Sequence, residues 1–290
     1  MKVGRLNLGI LFYLLLEICV AFAYAGDIGD DIRVSDAKAE SKNGGFLEVG
    51  VAAVIERRIK AGLDPESDNE VSLDLGLSIS AGYRYRQLFV EASDSGFDGL
   101  NFGVTLFDSD RWSVDLLLAN IAGQINEDDD DAPPPVTESE RNRATLERDS
   151  LFIAAGTRVT GYFDDTILQL RLVSDWYGDN GILGSARIGR QWQLGNWNVQ
   201  AIAGARYNSA QFNNYLYGVS SEEQSQRFAQ YSAKRAWIPE VEFGASLPLG
   251  ENWVYSTRLR YRHYPSSVTN SPLVAHSSDV ILYSGIHYVF

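Results

Sequence analysis

The chain has 290 residues, 45% of them hydrophobic and 12% aromatic, with a formal net charge of −13. An acidic balance of that size excludes a nucleic-acid-binding surface, which needs Lys and Arg in excess against phosphate. No apolar run approaches the roughly 20 residues of a membrane-spanning helix, which excludes a helical membrane protein but not a barrel, whose alternating strands average to an ordinary hydropathy.

The first residues carry Lys2 and Arg5, then the apolar run Leu8 to Leu16, then Ala23-Tyr24-Ala25. Positive, apolar and small-x-small in that order predict a secretory signal peptide over 1–25, cut between Ala25 and Gly26, although Glu17 is atypical of an apolar stretch. The single cysteine, Cys19, falls inside the removed segment. Its flank Leu16-Glu17-Ile18 lacks the small residue that a lipoprotein signal places before its Cys. The remaining chain then has no thiol, no disulfide and no thiolate metal site.

Residues 26–45, acidic and Gly-rich, are expected to form a periplasmic leader, and 46–290 a transmembrane antiparallel β-barrel. Period-2 alternation is clearest from Val71 to Arg86, where Val71, Leu73, Leu75, Leu77, Ile79, Tyr83 and Tyr85 fall on one face and Ser72, Asp74, Ser78, Ser80, Arg84 and Arg86 on the other. A tilted strand needs only about 9 to 11 residues to cross a bilayer. Twelve strands are predicted, near 46–57, 71–84, 87–94, 99–107, 111–120, 150–161, 166–177, 182–193, 196–207, 237–248, 252–264 and 279–290. The number falls to ten if 87–94 and 99–107 do not pair. An even number places both termini on one side, the periplasm. Tight turns at 108–110, 163–165, 194–196 and 249–251 alternate with long connections at 59–70, 121–149, 208–236 and 265–278, the asymmetry expected of short periplasmic turns and longer outer loops.

The last strand sets Val280, Leu282, Ser284, Ile286, Tyr288 and Phe290 on one face and Asp279, Ile281, Tyr283, Gly285, His287 and Val289 on the other. Its aromatic end, with Ile286, Tyr288 and Phe290, is expected to be the signal read by the barrel-insertion machinery. On 252–264, Trp253, Tyr255, Leu259 and Tyr261 oppose Ser256, Arg258, Arg260 and Arg262, while the neighbouring strand turns Glu240 and Glu242 to the same side as the arginines. An arginine ladder beside two glutamates predicts a salt-bridged, mostly filled lumen in which these charges pair across the interior. An anion-selective channel is the alternative.

No Gly-rich phosphate loop, His-x-x-x-His or EF-hand spacing occurs, so no cofactor, metal or catalytic residue is assigned. Of the three histidines, His276 falls in a loop, His263 at a strand end and His287 in the lumen. His287 could activate a hydroxyl such as Ser256, but without an orienting acid or oxyanion donors it reads as a hydrogen-bonded lumen residue. The run Glu127 to Asp131, followed by Pro133-Pro134-Pro135, has no spacing that wraps an ion and reads as a solvated loop rather than a site for cations shared with lipopolysaccharide. The loop 208–236, rich in Tyr, Asn, Gln and Ser, is the better candidate for a specific contact, either plugging the barrel mouth or meeting a ligand.

That loop also carries a resemblance. Asn213 to Ser220, with Tyr215, Tyr217, Gly218, Val219 and Ser220, is followed by Glu222-Glu223, Gln230-Tyr231 and Trp237, then by Trp253, Tyr255, Arg260-Tyr261, Ser271-Pro272-Leu273-Val274 and the terminal Gly285 to Phe290. The order resembles the MipA/OmpV family of outer-membrane proteins, most strongly over about 196–290. Asn270 stands where that family often has Asp, and Gln226-Arg227-Phe228-Ala229 replaces a usual Ser-Gly-Leu-Pro. The resemblance implies an integral outer-membrane barrel in contact with lipid and lipopolysaccharide. For one branch it implies a non-enzymatic scaffold bringing a murein lytic transglycosylase to a bifunctional penicillin-binding murein synthase. The alternatives are a narrow channel for small solutes and a barrel hydrolase.

Overall fold

A computed structural model describes residues 43–57, 59, 71–92, 100–120, 153–176, 180–225 and 228–290. The expected signal segment with its Ala25-Gly26 cleavage point, the acidic run 127–131 and the pair Gln226-Arg227 lie outside the described residues. Twelve strands follow one another: β1 (Asn43–Arg57), β2 (Ser72–Tyr85), β3 (Leu88–Ala92), β4 (Leu100–Asp108), β5 (Trp112–Asn120), β6 (Ile153–Phe163), β7 (Thr166–Asp175), β8 (Ile182–Leu194), β9 (Trp197–Asn208), β10 (Ala236–Pro248), β11 (Trp253–His263) and β12 (Ser278–Val289). Two short helices are described, α1 (Ala210–Tyr217) and α2 (Ser266–Thr269). Each strand pairs antiparallel with its neighbours in sequence, and β1 pairs with β12 from Glu48↔Val289 to Arg57↔Val280, closing the barrel. The short segments on which the strand number turned do pair, β3 with β2 on one side and with β4 on the other.

β1 begins at Asn43, inside the stretch expected to be leader. The Gly44-Gly45 pair reads as loop, but the Tyr83 ring lies against Gly45, where a Cβ would stand 2.7 Å from Tyr83 Cδ2. An aromatic side chain from β2 thus covers a position that has no side chain of its own.

The alternation seen in the sequence becomes two opposite surfaces. Leu73, Leu75, Leu77 and Ile79 of β2, Val241 and Phe243 of β10, Leu259 of β11 and Leu282 and Ile286 of β12 all face outward and are exposed, Leu77 by 79%. Ser78, Ser80, Asp115, Arg158, Thr160, Gln169, Arg187, Gln200, Glu240, Glu242, Ser256 and His287 are buried inside. In water this distribution would be inverted, so the outer surface is matched to lipid.

Aromatic rings collect at the two margins of the apolar band. Trp112 packs on Phe163, Trp197 on Tyr255, and Trp253 on Tyr288, which meets Phe290, all near one end. Tyr207 meets Trp237 near the other, with ring centroids 5.1 Å apart. From Trp197 to Tyr207 the strand rises about 33 Å, or about 25 Å along the axis at a tilt of about 40°, the height of an outer-membrane apolar band.

At one end of the barrel the strands are joined by tight turns. Asp164-Asp165 and Gly195-Asn196 join their strands with Asp164 at φ 50° and Gly195 at φ 62°, the left-handed backbone that short hairpins require. Asn43 and Phe290 lie at this turn end. The described connections after β9 and β11 lie at the other, the loop end.

Candidate functional site

The segment after β9 turns back into the barrel mouth. Ser209 caps α1, its Oγ accepting from Phe212 N at 3.2 Å and from Ile182 N at 2.9 Å, which ties the first turn of the helix to the rim of β8. Phe212 and Leu216 fall on one side of α1 and pack against Ala119, Ala154, Val173, Leu183 and Ile238, inward residues at the loop ends of β5, β6, β7, β8 and β10. Burying two such side chains is worth about 1.5–3 kcal/mol each. The polar residue among them, Asn213, is fully satisfied: its Oδ1 accepts from Asn208 Nδ2 at 2.9 Å and its Nδ2 donates to Lys234 O at 2.6 Å.

The residues that carried the family resemblance meet in space. Gly218 ends α1, its N–H donating to Asn214 O at 2.8 Å, and a Cβ there would press on that same turn. Val219 pairs with Tyr231 through two backbone hydrogen bonds of 2.9 and 3.0 Å, and Ser220 N donates to Glu223 Oε2 at 2.7 Å. Ser271, from the connection after β11, donates to Tyr217 O at 2.6 Å, while Leu273 joins Val219 and Phe228 in a small buried cluster. The two connections form one plug. Tyr215 packs at the edge of its core.

Tyr217 and Tyr264 lie edge to face at 6.5 Å beneath the plug, and Tyr264 donates to Asp279 Oδ2 at 2.8 Å. Burial first, and then the neighbouring phenol, pushes the Tyr217 hydroxyl well above its ordinary pKa; burial also raises that of Tyr264, with Asp279 adding to it.

Below the plug lies a charged layer. Arg260 and Glu242 pair in register and meet at 2.6 Å, while Arg262 reaches Glu240 at 3.6 Å and Asp279 at 3.5 Å. The pairing runs along the wall between neighbouring strands, not across the lumen as the sequence suggested, because ladder partners on one face are already close enough to bond. Arg187 of β8 reaches Glu240 of β10 at 3.0 Å over the intervening β9, where Gly204 stands opposite both and a Cβ would come within 2.8 Å of Arg187 Cγ. Arg258 lays its guanidinium on the Tyr283 ring, 4.3 Å from the centroid.

Two further clusters follow, of which the sequence pointed only to the Ser256–His287 pair. Arg158 holds Glu91 at 2.7 Å and Asp115 at 3.0 Å, and these carboxylates also accept from Asn101 Nδ2 and Thr105 Oγ1. The ring of Phe89 lies between the guanidiniums of Arg84 and Arg158, each 5.1 Å from its centroid. Near the turn end, His287 Nε2 lies 2.6 Å from Tyr283 OH and 3.1 Å from Ser78 Oγ, which are themselves 2.8 Å apart, and Ser256 Oγ lies 3.5 Å from Nδ1. Ser78 is on β2 and His287 on β12; they touch over β1 because Gly50 stands opposite both and leaves the space open. The signal for both clusters was inward parity, but Arg158 lies 43 residues from Asp115 and His287 lies 209 from Ser78, beyond any local pattern. Ile286 and Phe290 at the expected C-terminal signal face outward, and Phe290 N donates to Leu47 O at 3.0 Å, fastening the terminus to β1.

Residues 49–290 match the family model described as MltA-interacting protein MipA. The chain is 33% identical to the MltA-interacting protein of Escherichia coli (strain K12) over 113 residues, 38% of this chain and 45% of that one. It is 30% identical to YiaT of the same strain over 112 residues, 38% and 46% of the two chains, and 27% identical to outer membrane protein Omp26La of Vibrio anguillarum over 97 residues, 33% and 38%. The matched stretch spans less than half the length of these relatives. Among solved structures, the chain is similar to a bacterial polysaccharide outer membrane secretin (TM-score 0.41, 10% identity, 87% of this chain and 99% of that one) and to the NanC porin (TM-score 0.40, 7% identity, 82% and 98%).

Proposed function

Because this chain belongs to the MipA family of outer-membrane barrels, we propose that it acts there as a non-enzymatic scaffold in murein metabolism, joining a lytic transglycosylase to a penicillin-binding murein synthase. The observation that carries this reading is the filled mouth. A barrel whose loop end is packed with α1 and the connection after β11 offers its turn end, not a through-path, as its working surface. The partner class follows the name of the relative matched over 113 residues, MltA-interacting protein. In this reading the turn end and both termini face the periplasm, Ile286, Tyr288 and Phe290 guide insertion, and lipopolysaccharide surrounds the loop end. His287 is a structural tie, its ring nitrogens taken up by Tyr283, Ser78 and Ser256.

The test is a cross-linked pull-down of the tagged protein from intact envelopes, with an unrelated barrel as control and mass spectrometry as readout. Enrichment of a lytic transglycosylase with a penicillin-binding synthase is expected. Recovery of nothing beyond the barrel-insertion machinery would remove the scaffold reading. A narrow channel is the second reading, favoured by the partial exposure of Arg206, Arg260 and Arg262 inside the lumen, and single-channel conductance in planar bilayers separates the two.

A further inference from the structure

The lipid-facing side of the strands is interrupted by one charge. Alternation turns Arg190 of β8 outward with Ile188 and Trp192, which are both exposed, while Arg187 is buried inside. Among the described residues no other charged side chain points outward within a strand; Arg57 and His263 stand at the ends of β1 and β11. Arg190 lies two residues inside Trp192, about 7 Å along the strand and about 5 Å along the axis at a tilt of about 40°. A cation there is costly unless it reaches back to an anion at the membrane margin. Its guanidinium does bend toward the turn end, 5.9 Å from the Trp192 centroid, and forms no ion pair among the described residues.

The surroundings of Arg190 differ on its two sides. Opposite it on β7 stands Thr166, outward and half-buried, and one and two residues nearer the water come Asp165 and Asp164, both exposed. Opposite it on β9 stands Ala201, and Ala203 and Ala205 continue that outward face. Ile188 rises on one side of this alanine lane and Phe243 and Val241 on the other, all of them exposed, while Tyr207 and Trp237 close its far end. From Ala201 to Tyr207 the lane runs about 20 Å along the strand, or about 15 Å along the axis, the depth of one leaflet's chains.

We propose that this face seats one glycerophospholipid with an amine headgroup. Arg190 and the Thr166 hydroxyl take the phosphate, Asp164 and Asp165 the ammonium, and one acyl chain follows the alanines. A guanidinium can donate two parallel hydrogen bonds to a phosphate, and the adjoining acids would repel a headgroup that carries no compensating cation. The order of charges is that of the lipid: the cation lies nearer the apolar band and the acids nearer the water. The site does not rest on the scaffold reading, because it needs only the barrel's place in a bilayer and no partner protein.

The test is native mass spectrometry of the refolded full chain in uncharged detergent, with phosphatidylethanolamine and phosphatidylglycerol added in turn at equal concentration. One retained phosphatidylethanolamine per barrel is expected, with phosphatidylglycerol held more weakly. R190Q should weaken retention about tenfold, the loss of one charge-assisted pair. Ala203→Leu fills the lane without changing charge and should weaken it as well, while heat-modifiable electrophoretic migration reports that the barrel has still formed. The double variant D164N/D165N should remove the preference between the two lipids, and Leu75→Ala, on the lipid face of β2, should leave retention unchanged. Equal retention by the unaltered chain and R190Q would mean an undifferentiated lipid belt. A preference for phosphatidylglycerol would take the acids out of the site, and a dimer that forms without lipid and is lost in A203L would give this face to a second copy; each of these results overturns the proposal.

Discussion

Arg158 shows how a charge is kept inside a membrane barrel. One guanidinium, buried on all sides, serves two carboxylates that come from β3 and β5, and each carboxylate is held by a further neutral donor. Removing the cation leaves Glu91 and Asp115 facing each other without compensation. Arg158→Gln should therefore cost about 3–5 kcal/mol, the penalty of breaking a buried pair from one side. Arg158→Lys should recover only part of it, because an ammonium cannot fork to both acids. Urea unfolding in micelles followed by tryptophan fluorescence measures both, and a midpoint unchanged in R158Q would show the cluster to be solvated. The ladder Arg258, Arg260 and Arg262 was legible in the sequence because its members are two residues apart on one strand. Arg158, Glu91 and Asp115 were not, since their meeting depends on the register of four strands.

The strands were legible as elements for a simple reason. Lipid outside and a polar lumen inside impose strict alternation, and strand ends fall where it stops, so most observed bounds lie within a residue or two of those expected. α1 was not. Asn213 and Asn214 sit mid-helix among aromatic residues, a composition poor in helix propensity, and the only local hint is the spacing of Phe212 and Leu216. Tertiary burial in the mouth decides its form. That burial also gives the plug a pH dependence. Tyr217 and Tyr264 remain protonated in the fold where the unfolded chain's phenols ionise near pH 10. Above that pH the unfolded state binds fewer protons, so stability falls with rising pH until the buried phenols ionise; below it they contribute no slope. The melting temperature should drop steeply above about pH 10, and Tyr217→Phe should flatten that drop. A tyrosinate absorbance titration in which every phenol ionised near pH 10 would contradict this.

At the scale of the whole molecule the barrel is a wall with one end filled. The intact protein should show little conductance in planar bilayers, and deletion of 210–217 should open a measurable path, because the helix core and not the strands closes the mouth. Arg260→Glu, which puts three carboxylates where Arg260 meets Glu242 near Glu240, should lower stability without creating a channel. If that variant folded normally and changed conductance, the charges would be selectivity groups rather than packing. Closure and inside-out polarity could be anticipated from the chain alone, whereas the positions at which side chains of alternate strands touch could not.

Those touches depend on Gly50 and Gly204, the bare positions over which His287 meets Ser78 and Arg187 meets Glu240. A ladder bond compares one strand with its neighbour and can be satisfied by a slipped pairing. A contact made over an empty position compares three strands at once, and sliding any of them by one residue turns its side chain toward lipid and brings another into the gap. The missing side chain thus works as a keyway. At the seam, where the first and last strands of the sheet pair, the Tyr283–His287–Ser78 contact fits a single alignment and so distinguishes a correctly closed barrel from one that has merely closed.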